Sequence, residues 1–140
     1  MRTKRVNRYY CDFCQKAGGA AGHMKRHERG CTLNPNRTCG VCRLLEVPQR
    51  ALAPLIAMLP NPAEYVKIDE SDNKVFDGEL TVAANKALEA LREATDNCPA
   101  CILAAIRQAG VPVPMVTDFH WTTEMKAVWT ETPVGWKFGG

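Results

Sequence analysis

Seven cysteines and three histidines hold most of the chemistry this chain could do. The cysteines stand at 11, 14, 31, 39, 42, 98 and 101, and six of them form three Cys-x-x-Cys pairs. Two thiols separated by two residues suit a tetrahedral metal ion, and thiolate sulfur is a ligand that zinc favours. The chain opens Met1-Arg2-Thr3-Lys4-Arg5 with no apolar stretch behind it, unlike a secretory signal. A reducing cytoplasm is therefore expected, where disulfides explain cysteines poorly. An odd number of thiols would also leave one over in a disulfide scheme. A metal scheme absorbs it with one histidine.

The pairs divide into two clusters. In the first, Cys11 and Cys14 are followed after twelve residues by His27, and after three more by Cys31. A hairpin knuckle would present the two thiols. A helix would present His27 and Cys31, four positions apart on one face. A competing set, Cys11, Cys14, His23 and His27, leaves eight residues for the hairpin tip and half the helix, and strands Cys31. In the second cluster, Cys39-Gly40-Val41-Cys42 joins Cys98-Pro99-Ala100-Cys101 across fifty-five residues. Such a site clips a distant segment back onto the front of the chain, and closing a long loop removes much disorder from the unfolded state. The expected cofactor is two zinc ions, each closed by four protein ligands. One site takes Cys11, Cys14, His27 and Cys31, the other Cys39, Cys42, Cys98 and Cys101. No thiol remains.

Tyr9, Cys11, Cys14, Met24, His27 and Cys31 together resemble the ββα zinc finger family, in its variant with three Cys and one His. The resemblance covers residues 9–31. Tyr9 stands where the family has its first aromatic and Met24 where it has its core leucine. The family's middle aromatic would fall at Gly18, in a glycine-rich run, which thins the mini-core and weakens the helix start. Phe13 is the residue available to fill part of that gap. The family's base-facing helix positions correspond here to Ala20, Gly22, His23 and Arg26. Of these, His23 and Arg26 carry hydrogen-bonding groups suited to base edges. The resemblance thus implies nucleic-acid binding with low sequence preference.

Charge points the same way. Residues 1–50 hold eleven Lys/Arg against three acids, a balance of +8, while residues 51–140 carry −5. A basic front half suits an anionic partner such as DNA or RNA, through Arg2, Lys4, Arg5, Arg8, Lys25, Arg26 and Arg29. It would also serve as a solubilising arm, or dock on the acidic half. The alternative is a zinc-stapled interaction protein, whose helical, aromatic-rich half binds a protein partner through Phe119, Trp121, Trp129, Trp136 and Phe138.

Enzymatic readings find less support. No nucleophile motif or phosphate-cradling glycine loop occurs, and the His-x-Glu of zinc deaminases is missing. A zinc-supported nuclease would have to use His23, near Asn34 and Asn36. Cys98-Pro99-Ala100-Cys101 at a helix start is similar to glutaredoxin-type redox motifs, but that fold needs a strand ahead of the motif, and a helical pattern precedes it.

The elements that must position these residues are mostly helical. Leu52, Leu55, Ile56 and Leu59 share one helical face, with Pro54 implying a kink or a late start. Val66, Ile68, Val75 and Phe76 flank an acidic turn as two short strands. Residues 80–96 carry the strongest helical stripe, through Ala84, Ala87, Leu88, Leu91 and Ala94. A helix over 99–109 turns Ile102, Leu103 and Ile106 inward and closes at Gly110. Thr117-Asp118 could cap a last helix through about residue 130, grouping Trp121, Met125, Val128 and Trp129. His120 reads as a surface or capping residue. The expected fold is small, mainly α and zinc-stabilised. It has a basic arm (1–8), a zinc finger (9–38) and a mainly helical domain (39–140) closed by the four-Cys site. No apolar run is long enough to span a membrane. Cys31-Thr32-Leu33-Asn34-Pro35-Asn36-Arg37 leading into Cys39-Gly40-Val41-Cys42 is also similar to small uncharacterised zinc-finger proteins of tailed phages and prophages. That similarity implies an accessory role in a bacterial host cytoplasm.

Overall fold

The computed structural model describes residues 1–131. Its front is a ββα unit. Strand β1 (Tyr9–Tyr10) pairs antiparallel with β2 (Ala17–Gly18), Tyr9 opposite Gly18 and Tyr10 opposite Ala17. Between them the chain folds tightly around Cys11, whose N–H donates to the Lys16 carbonyl at 2.9 Å while its own carbonyl accepts from Gln15 N–H at 3.0 Å. Gln15 adopts a left-handed φ of 64° to close this turn.

Helix α1 (Ala21–Gly30) follows, with no side chain capping its first turn. Met24 is its buried residue and packs with Cys11 and Cys31, flanked by Cys14 and Leu33. Phe13 does not fill the gap left by Gly18; it stays 38% exposed. Met24 fills it instead. Its Cε lies 3.4 Å from where a Cβ on Gly18 would be, because an unbranched thioether can bend into irregular space.

The rest is a helical body: α2 (Gly40–Leu44), α3 (Leu52–Met58), α4 (Glu79–Ala94), α5 (Pro99–Gln108) and α6 (Trp121–Glu131). Helix α3 takes the late start. Pro54 falls in its first turn, where a missing N–H costs nothing. The hairpin of β3 (Val66–Ile68) and β4 (Lys74–Phe76) forms as expected. Its acidic loop is a turn, in which Asp69 accepts from the N–H groups of Ser71 and Asn73, both at 2.9 Å.

Helix α5 is the centre of the core. Ala100, Cys101, Ile102, Ala104, Ala105 and Ile106 are all buried, and α2, α3, α4 and α6 pack around it. Its alanines let neighbouring helices approach closely. Helix α4 presents Leu80, Ala84, Leu88 and Leu91 to this core. Asp96 and Asn97, both left-handed, turn the chain sharply from α4 into α5. Gly110, with φ 82°, ends α5.

The last helix differs from expectation. It starts at Trp121, so Thr117 and Asp118 do not cap it. They dock on α4 instead. Asn85 Nδ2 donates to Thr117 Oγ1 at 2.9 Å, and Asp118 N–H donates to Asn85 Oδ1 at 3.1 Å. The helix opens on the His120 carbonyl, which accepts from Glu124 N–H at 2.9 Å. An Arg92–Glu124 ion pair of 2.5 Å holds α6 against α4. Val128 and Phe119 are buried, whereas Trp121 and Trp129 are 41% and 43% exposed. Trp136 and Phe138 lie outside the described residues.

Candidate metal centres

Each pair of thiols is set by local backbone. In the finger, Cys11 Sγ accepts the N–H of Phe13 at 3.4 Å. In α2, Cys39 is the residue that caps the helix, and its Sγ accepts the N–H of Cys42 at 3.3 Å. Amide donors aimed at sulfur favour the thiolate over the thiol. Cys98 stands just before α5, with Pro99 at the first helical position. Cys101 follows on the first turn, so both sulfurs lie on one face.

Tertiary packing then brings the halves together. The ligand atoms of Cys11, Cys14, His27 and Cys31 all lie within 4.8 Å of one another, as do those of Cys39, Cys42, Cys98 and Cys101. In the first group Cys14 Sγ and His27 Nε2 are 3.2 Å apart. In the second, Cys39–Cys98 and Cys42–Cys101 are 3.4 and 3.3 Å apart. A tetrahedral zinc with sulfur ligands at about 2.3 Å needs sulfurs about 3.8 Å apart. Both groups converge on that scale without forming disulfides.

The chemistry of the donors also calls for a cation. Burial pushes the Cys31 thiol up to about 11, with Cys14 and Cys11 adding to the effect against an opposing hydrogen bond from the Leu33 backbone. In the second group, contact with Cys101 and Cys39 holds Cys98 and Cys42 far above the usual thiol range, while Cys39 is held far below it by Cys101, Cys42 and Cys98. Four sulfurs packed this closely cannot all ionise unless positive charge sits among them. A divalent zinc supplies that charge, and four protein ligands leave no open coordination position, which is the structural type of site.

Cys31, not His23, completes the first group. Cys31 lies just past the end of α1, so His27 comes from the last helical turn and Cys31 from the residue that ends the helix. His23 is exposed on α1 and is not a member of the four-ligand group. The redox reading fails. Cys98 and Cys101 are 0% and 1% exposed, and helix α4 rather than a strand precedes them.

Arg2, Lys4, Arg5, Arg8, Lys25, Arg26 and Arg29 are all exposed, on the arm and on α1. Among the described residues none of them takes part in a salt bridge. Two residues of the four-cysteine surroundings went unassigned in the sequence. Gln49 accepts the N–H of Cys39 at 2.6 Å and donates to the Arg37 carbonyl at 2.7 Å. Arg37 is buried, and its Nη1 reaches Cys101 Sγ at 3.8 Å. A lone arginine between two ligand cysteines carries no motif, so only the packing reveals it.

No protein-family model, curated protein or solved structure matches the chain. Its class follows from fold and site alone. It is a small, largely helical protein with an N-terminal ββα zinc-finger unit and a second, four-cysteine zinc-type centre. Among the described residues no helix is long and apolar enough to cross a membrane.

Proposed function

We propose that this is a zinc-stabilised nucleic-acid-binding protein of low sequence specificity. The arm (1–8) and finger (9–38) form its contact surface, and the helical part (39–140) is the body that carries them. One observation carries this reading, the run of exposed cations along the arm and α1. Arg50 and Arg92 pair with acids, and Arg107 donates to Thr32. Arg2, Lys4, Arg5, Arg8, Lys25, Arg26 and Arg29 are all exposed and, among the described residues, take part in no salt bridge, which leaves them available to phosphates. His23 and Arg26 add the little base readout that α1 can offer, since Ala20 and Gly22 have no polar side chain.

The test is binding of the zinc-loaded chain to mixed-sequence duplex DNA, single-stranded DNA and RNA, followed by anisotropy over a salt series. Micromolar or tighter binding that falls steeply with salt is expected. Replacing Arg5 and Arg8 with Ala should weaken binding on every sequence alike and flatten the salt slope by about two. An absence of binding at low salt overturns the reading.

A second reading, a zinc-stapled protein that binds a protein partner, draws support from α6. Trp121 and Trp129 line a cleft of about 500 Å³ with Val41, Leu44 and Leu103. If this face is the functional one, Trp121→Ala leaves nucleic-acid affinity unchanged and abolishes partner capture.

A further inference from the structure

We infer that Arg37 is the built-in counter-ion of the four-cysteine centre, holding its excess negative charge and tuning its grip on zinc. Four thiolates around one divalent ion leave a net charge of minus two inside the protein. Such a charge is costly to bury unless something nearby offsets it. Arg37 is placed to do so. Its side chain is buried, with 5% of the residue exposed, and Nη1 lies 3.8 Å from Cys101 Sγ. It makes no salt bridge with a carboxylate among the described residues. Its buried Nε has no hydrogen-bond partner. The guanidinium therefore has thiolates as its neighbouring anions, and a buried arginine without an anion would be strongly destabilising.

The backbone holds this side chain in place. Arg37 N–H donates to the Asn34 carbonyl at 3.3 Å, and the Arg37 carbonyl accepts from Gln49 Nε2 at 2.7 Å. The same Gln49 accepts from the N–H of Cys39. One side chain thus fixes both the arginine and the first ligand. Among the described residues the finger centre has no equivalent. Its nearest arginine positions on α1, Arg26 and Arg29, are exposed.

Arg37 is a positioning residue that acts through the sulfurs. The experiment uses the full chain loaded with ¹¹³Cd in place of zinc, whose two resonances report the two centres separately, together with zinc competition against a chelator. Arg37→Gln and Arg37→Met should weaken zinc binding at the four-cysteine centre by about 10–100-fold and leave the finger centre unchanged. Arg37→Lys, which keeps the charge, should restore most of the loss. Unchanged affinity in the neutral variants, or equal weakening at both centres, overturns the inference, because a merely space-filling arginine would not discriminate between them. If the neutral variants fail to fold, the unaltered protein decides. A scalar coupling between ¹¹³Cd and a guanidinium proton of Arg37, carried across the N–H···S contact, is expected. Its absence overturns the inference.

Discussion

The two metal centres are made of nearly the same ligands and do opposite jobs. The finger centre draws all four ligands from residues 11–31 and sits over a mini-core of Cys11, Met24 and Cys31. The four-cysteine centre draws its ligands from two segments far apart in sequence and is part of the main core with Leu55, Leu91, Ile102 and Ile106. One centre folds a module locally. The other fastens α2 to α5 and thereby closes a long loop. The strap between them is tied to α5, where Gln108 Nε2 donates to the carbonyls of Thr32 and Asn34 at 2.9 and 3.0 Å. The comparison shows how the same ligand chemistry depends on what surrounds it. A small unit needs its metal because it has little else, and a larger one uses its metal to hold distant pieces together.

The largest expected effect comes from breaking the clip. Structural zinc contributes about 10–16 kcal/mol of apparent binding energy, comparable to the whole stability of a domain. Cys98→Ser with Cys101→Ser should therefore melt the helical body, seen as loss of far-ultraviolet helical signal at 25 °C. A body that stays folded would mean the hydrophobic core alone suffices. Next in size is the finger. His27→Ala should halve the zinc content and unfold residues 9–31, while α4 and α5 keep their amide-exchange protection. Loss of protection in α5 would show that the two centres are coupled through the strap.

A core change is smaller. Ile106→Ala removes a fully buried side chain from α5 and should cost about 2–5 kcal/mol in chemical denaturation without releasing zinc from the finger. The smallest effect is a gain. Gly22 lies in the first turn of α1, and a Cβ there would meet nothing within 4 Å. Gly22→Ala should stabilise the finger by about 1 kcal/mol, read as slower zinc release from that centre alone. No gain would mean that the start of α1 frays in the folded state.

Much of this was readable beforehand because short-range rules governed it. The spacing of Cys11, Cys14, His27 and Cys31 identified the finger, since a knuckle and one helical turn fix those distances locally. The stripe of Ala84, Leu88 and Leu91 identified α4, and Gly110 identified the end of α5. Other features depended on neighbours that a local pattern does not contain. Thr117 and Asp118 look like a helix cap, yet Asn85 offers them bonds from α4 and wins. Phe13 looked able to fill the space at Gly18, but Met24 was closer and more pliable.

Counting ligands pointed to two four-ligand sites, because seven thiols and one histidine fill eight positions without remainder, but it left His23 as a rival to Cys31. The count is a matter of chemistry and stoichiometry, which a sequence carries in full. The choice of Cys31 over His23, the burial of Arg37 against Cys101 and the outward stance of the arm cations were decided only when the chain folded. Each depends on which surfaces meet and which charges lose water. Those energies belong to the packed arrangement rather than to any residue by itself.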